Sequence, residues 1–277
     1  MQKQYIEFIN NINRTTCCDI YSNKMETPQP IAIFIHGFRA FRDWGFIPHI
    51  ATGLANSGIM TLAIDFSMNV LTDKENILFD MDLFRKNTVT QEITEVRMLI
   101  NKIADGSINL PTAWNGEVYL IGHSLGGAIA IMSAYEQPIV TKLVTICSIC
   151  DFDIYTARQK EKWNALGRKE FTDSTSGQLI ILDLNFLLDR LQYSGEMSLT
   201  SIVSKLNIPY FVLHTEADAT VNPKTAYILA NAVINKELVR VEIVPHGNHQ
   251  LNTIHPFTDT NPVLEHIIEA MAKFLNT

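Results

Sequence analysis

The sequence predicts an α/β fold, a mostly parallel eight-stranded sheet with helices on both faces. Three observations carry this expectation. Apolar runs of strand length alternate with longer segments of helical spacing. Several of the short runs are apolar at nearly every position, as strands covered on both faces must be. Glycine or proline punctuates the pattern where one element should give way to the next.

Taken in order, "QYIEFI" and "TCCDIY" read as a short opening pair of strands. "IAIFIH" (31–36) is a continuous apolar run that ends at Gly37. Phe46, Ile47, Ile50, Ala51, Leu54 and Ala55 then recur at helical spacing, and Gly58 stops that helix. "IMTLAIDF" (59–66) is another buried strand, followed by a long loop. Val89, Ile93, Val96, Leu99, Ile100 and Ile103 mark one face of a helix that Gly106 ends. "EVYLIGH" (117–123) predicts a strand and 124–136 a helix, closed by Pro138. "KLVTICSI", "IPYFVLH" (208–214) and "LVRVEIV" (238–244) complete the set of strands. Asn222-Pro223 and Asn261-Pro262 each place a capping side chain before a proline at a helix start. Right-handed crossovers would put the functional loops at the carboxyl ends of the strands.

One segment breaks the rhythm. Residues 152–206 contain no strong strand, and "RKEFTDSTSGQ" is polar and turn-rich. A structureless loop of that length is improbable in a compact domain. The expected organisation is a core formed by 1–151 and 207–277, with a small, partly helical cap (152–206) inserted after the sixth strand.

The 277 residues are 47% hydrophobic and 18% charged, which describes a globular chain with a sizeable core. A net charge of −7 without a basic cluster argues against nucleic-acid or anionic-membrane binding. No apolar run reaches the ~18 residues of a membrane span, and the first residues lack a signal-peptide pattern. Cys147 and Cys150 form a C-x-x-C, but it lies at a strand end and has no second pair or spaced histidine. Structural thiols in a reduced, cytoplasmic setting are expected. Neither metal nor organic cofactor is expected, and a homodimer stays open.

The chemistry concentrates in "VYLIGHSLGGAIAIMSAYE" (118–136). "GHSLG", Gly122 to Gly126, matches G-x-S-x-G between a strand-like run and a helical one. A serine there could simply cap the helix. Flanking glycines instead fit a turn so tight that residues two before and two after the serine crowd each other. Ser124 would then be a strained, exposed nucleophile at a helix N-terminus. A serine hydroxyl needs a base, and eight histidines compete. His36 and His123 flank motifs and would brace their loops, and His214 reads as structural. His49 and His266 sit in helical patterns. "PHGNHQLNTIHP" offers His246, His249 and His255.

Here the chain resembles the α/β-hydrolase superfamily, from about Ile31 to Ala272. "HGFRAFRDWGF" (36–46) and "NTVTQEITEVRMLI" (87–100) look like bacterial serine esterases, dienelactone-hydrolase-like or serine-aminopeptidase-like hydrolases, a group that includes feruloyl esterases. The resemblance implies an oxyanion hole from the backbone N–H groups of Phe38 and Leu125. It implies His249 as base, with His246 as rival, although Gly247 leaves one intervening residue rather than two. It implies Asp218, in "LHTEADATVNP", as acid, with Thr215 where the family has Gly. Asp151 and Asp153 occupy a position where some relatives carry the acid. The order Ser124, Asp218, His249 is the order of that superfamily. The implied activity is hydrolysis of a small-molecule acyl substrate, a short-to-medium acyl or aromatic ester, through an acyl-enzyme. Amide or peptide hydrolysis, thioester hydrolysis and a non-catalytic binding protein are the alternatives.

Overall fold

The computed structural model describes residues 1–277. In chain order the elements are β1 (Gln2–Ile9), β2 (Thr15–Ser22), β3 (Gln29–Ile35), α1 (Ile47–Asn56), β4 (Met60–Asp65), β5 (Leu71–Asp73) and β6 (Leu78–Phe79). There follow α2 (Met81–Phe84), α3 (Val89–Ala104), β7 (Trp114–His123), α4 (Leu125–Ala134), β8 (Val140–Ile146), α5 (Ala157–Leu166), β9 (Arg168–Thr172) and β10 (Leu179–Asp183). The last are α6 (Leu184–Leu191), α7 (Leu199–Lys205), β11 (Tyr210–Thr215), α8 (Lys224–Ala232), β12 (Val239–Val244) and α9 (Pro262–Leu275).

An eight-stranded sheet runs β1-β2-β4-β3-β7-β8-β11-β12. The β1–β2 and β2–β4 pairs are antiparallel, and every pair from β4 across to β12 is parallel. The continuous apolar strands follow from alternation between two covered faces. On β3, Ile31, Ile33 and Ile35 enter one core layer, and Ala32 and Phe34 enter the other. Val118 and Leu120 on β7 oppose Tyr119 and Ile121 in the same way. Helices α3, α4, α7 and α8 cover the first face, and α1 and α9 the second. Burying one Ile or Phe side chain contributes roughly 1.5–3 kcal/mol, so these two layers dominate the cohesion of the chain.

The chain leaves β3 toward β4 through α1 and returns through α3 to β7 on the opposite side of β3. That reversal opens a crevice at the carboxyl ends of β3 and β7, where ligands of open α/β sheets bind. The loops after β3, β7, β11 and β12 all face it.

Two segments carry strands that their sequence did not announce. The expected loop after β4 contains the β5–β6 hairpin and α2, whose first amides are capped by Asp80. The polar stretch after α5 is the β9–β10 hairpin, paired from Thr172↔Leu179 to Arg168↔Asp183. Its turn is held by Asp173, which accepts from the Thr175 amide and the Ser176 hydroxyl. The Arg39–Asp173 ion pair (2.8 Å) ties this turn to the loop after β3. Trp163, Ile180, Leu182, Phe186 and Leu187 form a separate apolar cluster with Phe41, Phe79 and Phe84. Of the elements within 152–206, α7 packs against α4 and α8 of the body, and α6 packs against α3.

Candidate active site

Ser124 stands at the junction of β7 and α4 with φ 56° and ψ −120°, a conformation rare for a residue with a side chain. The neighbouring glycines make it possible. A Cβ on Gly122 would lie 2.1 Å from the Gly126 carbonyl oxygen, and one on Gly126 would lie 2.2 Å from that of Ile35. The crowding expected from the motif is therefore present between backbones. Helix α4, buried from Leu125 to Ala134, anchors the turn from behind.

His249 lies on the loop between β12 and α9. Its Nδ1 is 2.7 Å from Asp218 Oδ2 and its Nε2 is 3.1 Å from Ser124 Oγ. A carboxylate only accepts, so Nδ1 carries a proton toward Asp218, and Nε2 is the nitrogen placed to take the proton of the serine hydroxyl. The three sequence-predicted side chains thus meet in the predicted order. His246 does not join them; it sits at φ 60° with its amide directed to Glu216. Asp151 is exposed, and its Oδ1 accepts the Asp153 amide rather than a histidine. Asp153 pairs with Lys160.

Asp218 follows β11 with a fully buried side chain. Burial pushes its carboxyl up, but hydrogen bonds from His214, His249 and the Val221 amide outweigh this and hold it far below the usual carboxylate range. Oδ1 takes the Thr220 and Val221 amides at 2.8 Å each. Oδ2 takes His249, and His214 Nε2, which is hydrogen-bonded to the Val221 carbonyl at 3.0 Å, lies 3.2 Å from it. His214, read from sequence as structural, is therefore a direct neighbour of the acid.

The His249 backbone is fixed as firmly as its ring. Buried His123 donates Nε2–H to the His249 carbonyl at 2.9 Å. Burial, with the neighbouring His249, lowers the His123 pKa to about 3, so that ring is a neutral donor. Thr215 Oγ1 donates to the Asn248 carbonyl at 3.0 Å. A Cβ on Gly247 would come within 2.6 Å of Thr215 Cγ2, so the loop leans on the threonine methyl. The residue that departs from the family pattern is thus a support for the histidine loop. Only a structure could reveal that, because 215 and 248 are distant in sequence.

The Phe38 N–H donates to no protein acceptor. Leu125 is the first residue of α4, where N–H groups have no intrahelical acceptor. Gly37 lets the β3 loop approach the elbow; its Cβ would be 3.0 Å from Ser124 Cβ. Phe38 and Leu125 both border, with Ser124, a cavity of about 440 Å³. A second cavity of about 120 Å³ also reaches Ser124 and is bordered by His249, Trp44 and Gln250. Ser124 therefore stands between two spaces of unequal size.

Cys147 is buried beneath this site, its Sγ 3.2 Å from Thr215 Oγ1. It lies among His123, His214, Asp218 and His249 atoms that could in principle ligate a metal. Burial pushes its thiol up to about 12, so it is protonated, and the Asp218 carboxylate is already engaged by three donors. Cys150 is half-buried and borders the larger cavity. No helix is long and apolar enough to cross a membrane.

No protein-family model and no curated protein matches the sequence. Solved structures do match in shape over nearly the whole chain. Est1E from Butyrivibrio proteoclasticus is 16% identical, with 98% of this chain and 97% of that one aligned at a TM-score of 0.68. The esterase domain of a Rhodothermus marinus protein is 19% identical, covering 99% and 98% at 0.66. The α/β hydrolase GrgF from Penicillium sp. sh18 is 14% identical, covering 100% and 98% at 0.74. The sheet order, the strained serine turn and these alignments agree: the chain has the α/β-hydrolase fold.

Proposed function

We propose that this protein is a serine hydrolase acting on carboxylic esters of short-to-medium acyl or aromatic acids. The observation that carries the reading is the continuous contact from Ser124 Oγ through the His249 ring to Asp218 (3.1 and 2.7 Å). In the proposed reaction His249 Nε2 takes the Ser124 proton as Oγ bonds to the acyl carbon. The carbonyl oxygen becomes an oxyanion, held by the Phe38 and Leu125 amides. The tetrahedral species collapses, the bond to the leaving oxygen breaks, and His249 gives that oxygen its proton. Water then enters by the same route: His249 removes a proton as the water oxygen bonds to the acyl carbon, the acyl–Oγ bond breaks to release the acid, and the proton returns to Ser124 Oγ. Asp218 holds the ring orientation and stabilises the imidazolium throughout.

Esterase structures among those of similar shape support the ester class, and one of them, Est1E, was obtained with ferulic acid bound. Residues 152–206 serve in this reading as a cap that shapes the acyl site. A fluorophosphonate probe tests it directly: labelling of Ser124 is expected, with labelling lost in Ser124→Ala. A panel of p-nitrophenyl esters, methyl ferulate and an aminoacyl-anilide ranks the substrate classes, with esters expected ahead of the anilide. A folded wild-type chain that neither labels nor hydrolyses any of them would leave only the binding-protein alternative.

A further inference from the structure

Arg190, on α6, borders the same 440 Å³ cavity as Ser124. It is only 3% exposed, and its one hydrogen bond runs from Nε to the Phe152 carbonyl at 2.9 Å. Its Nη2 is buried without any acceptor. No carboxylate oxygen comes within 4.0 Å of the guanidinium. Instead, the rings of Phe152, Tyr155 and Phe186 surround it at 5.5–5.7 Å. An arginine keeps its charge even when buried, and a buried guanidinium nitrogen without a partner is costly.

The surrounding charges do not neutralise it. Glu92, beneath α6, is buried; its Oε1 accepts from Asn87 Nδ2 at 2.6 Å rather than from the guanidinium, and burial raises its carboxyl to about 8. Asp189 is turned to the Thr90 amide at 3.0 Å. Asp151 borders the cavity but is exposed and holds the Asp153 amide. Lys169 adds a second cation, 4.4 Å from the Tyr155 ring centroid.

The two cavities at Ser124 are chemically distinguishable. His249 must protonate the leaving group, so the leaving group belongs in the smaller cavity that His249 borders. The larger cavity, which lacks His249 and contains Arg190, is left for the acyl chain.

We propose that Arg190 is a specificity residue that receives a carboxylate at the far end of the acyl chain, making half-esters of dicarboxylic acids the preferred substrates. This rests on the serine-hydrolase reading above. A carboxylate bridging Nη1 and Nη2, the two nitrogens that Phe152 leaves free, would supply the missing countercharge.

The experiment measures kcat/KM for the monomethyl esters of succinic, glutaric and adipic acids. Each is compared with the neutral ester whose free carboxylate is replaced by a primary amide. At one of these lengths the acid form is expected to be favoured about 10- to 100-fold. Arg190→Met should abolish that ratio, Arg190→Lys should retain part of it, and Asp151→Asn should raise it by removing a like charge. Because Arg190→Met also loses the Phe152 contact, calorimetry with glutarate and glutaramate on the wild-type chain gives an independent reading, with glutarate binding tighter. A ratio at or below one at every length, or one unchanged in a folded Arg190→Met variant, overturns the proposal. If Ser124 labels and the neutral esters turn over while the ratio fails, only this inference falls. If no ester turns over and Ser124 does not label, the hydrolase reading falls and takes the half-ester specificity with it.

Discussion

Asp218 and Glu92 are both carboxylates with little or no access to solvent, yet their surroundings drive them to opposite charge states. At the carboxyl edge of the sheet, Asp218 accepts from two backbone amides and His249, with His214 Nε2 3.2 Å away, and stays ionised. In the first turn of α3, below α6, Glu92 accepts only from Asn87 Nδ2, and burial raises it to about 8. Depth does not separate the two groups; the number of aimed donors does. The edge of the sheet can present such donors because the turn after β11 directs successive N–H groups at one point. The side of a helix offers none, since its amides are spent on carbonyls one turn back.

Replacing each carboxylate by its amide should therefore give opposite results. Asp218→Asn has the largest expected effect. Oδ1 can still accept the Thr220 and Val221 amides, but an NH2 group would face His249 Nδ1. The ring would have to present Nδ1 as an acceptor and carry its proton on Nε2, against Ser124. A loss in kcat on the order of 10⁴ is expected, read by ester hydrolysis in a variant whose circular dichroism matches wild type. The stability effect has a definite sign. A depressed pKa contributes stability that is present above the unfolded value of about 3.9 and lost as pH falls through the folded value. The stability deficit of Asp218→Asn should thus shrink as solutions are made more acidic. A deficit independent of pH would mean that Asp218 is not held ionised as described.

Glu92→Gln sharpens the contrast from the other side. The pKa of Glu92 is raised from its ordinary 4.5 to about 8. Between those values the folded chain keeps a proton that the unfolded chain has released, so stability falls as pH rises. The contribution is full below the unfolded value and gone above about pH 8. Gln keeps the acceptor for Asn87 and cannot ionise. Chemical denaturation should find the variant equal to wild type near pH 4 and more stable by on the order of 1–3 kcal/mol near pH 9. Equal stability at both pH values would show that Glu92 ionises freely in the folded chain.

The same contrast explains what could be read from the residues alone. Gly122, Ser124 and Gly126 are neighbours in the chain, so the steric demand of the turn is written locally. The body strands were legible because coverage on both faces forces unbroken apolar runs such as Ile31–Ile35. Strand β9 was not legible: its residues alternate between exposed charge and half-buried positions, and its partner β10 lies beyond a polar turn. Arg190 was missed for a related reason. In "NFLLDRL" it reads as a solvated basic residue in the last turn of a helix. Only the packing of α6 against Phe152 and Tyr155 buries it. Nor could spacing show that His214 and His249 share Asp218, since that depends on how two loops fold over adjacent strand ends.

The smallest expected effect concerns Thr215, whose hydroxyl sits between Cys147 Sγ and the Asn248 carbonyl. Thr215→Val keeps the methyl contact with Gly247 and removes one donor. The Asn248 carbonyl still accepts the Leu251 amide at 3.0 Å, so the loop loses one of its ties rather than its fold. A net hydrogen bond contributes about 1 kcal/mol, which sets a loss in kcat of up to about tenfold with KM within about twofold. Thr215→Ser, which retains the hydroxyl, should recover most of that loss. If the Ser variant falls while the Val variant does not, the methyl against Gly247 carries the support instead, and His249 is positioned by packing where Asp218 is positioned by donors.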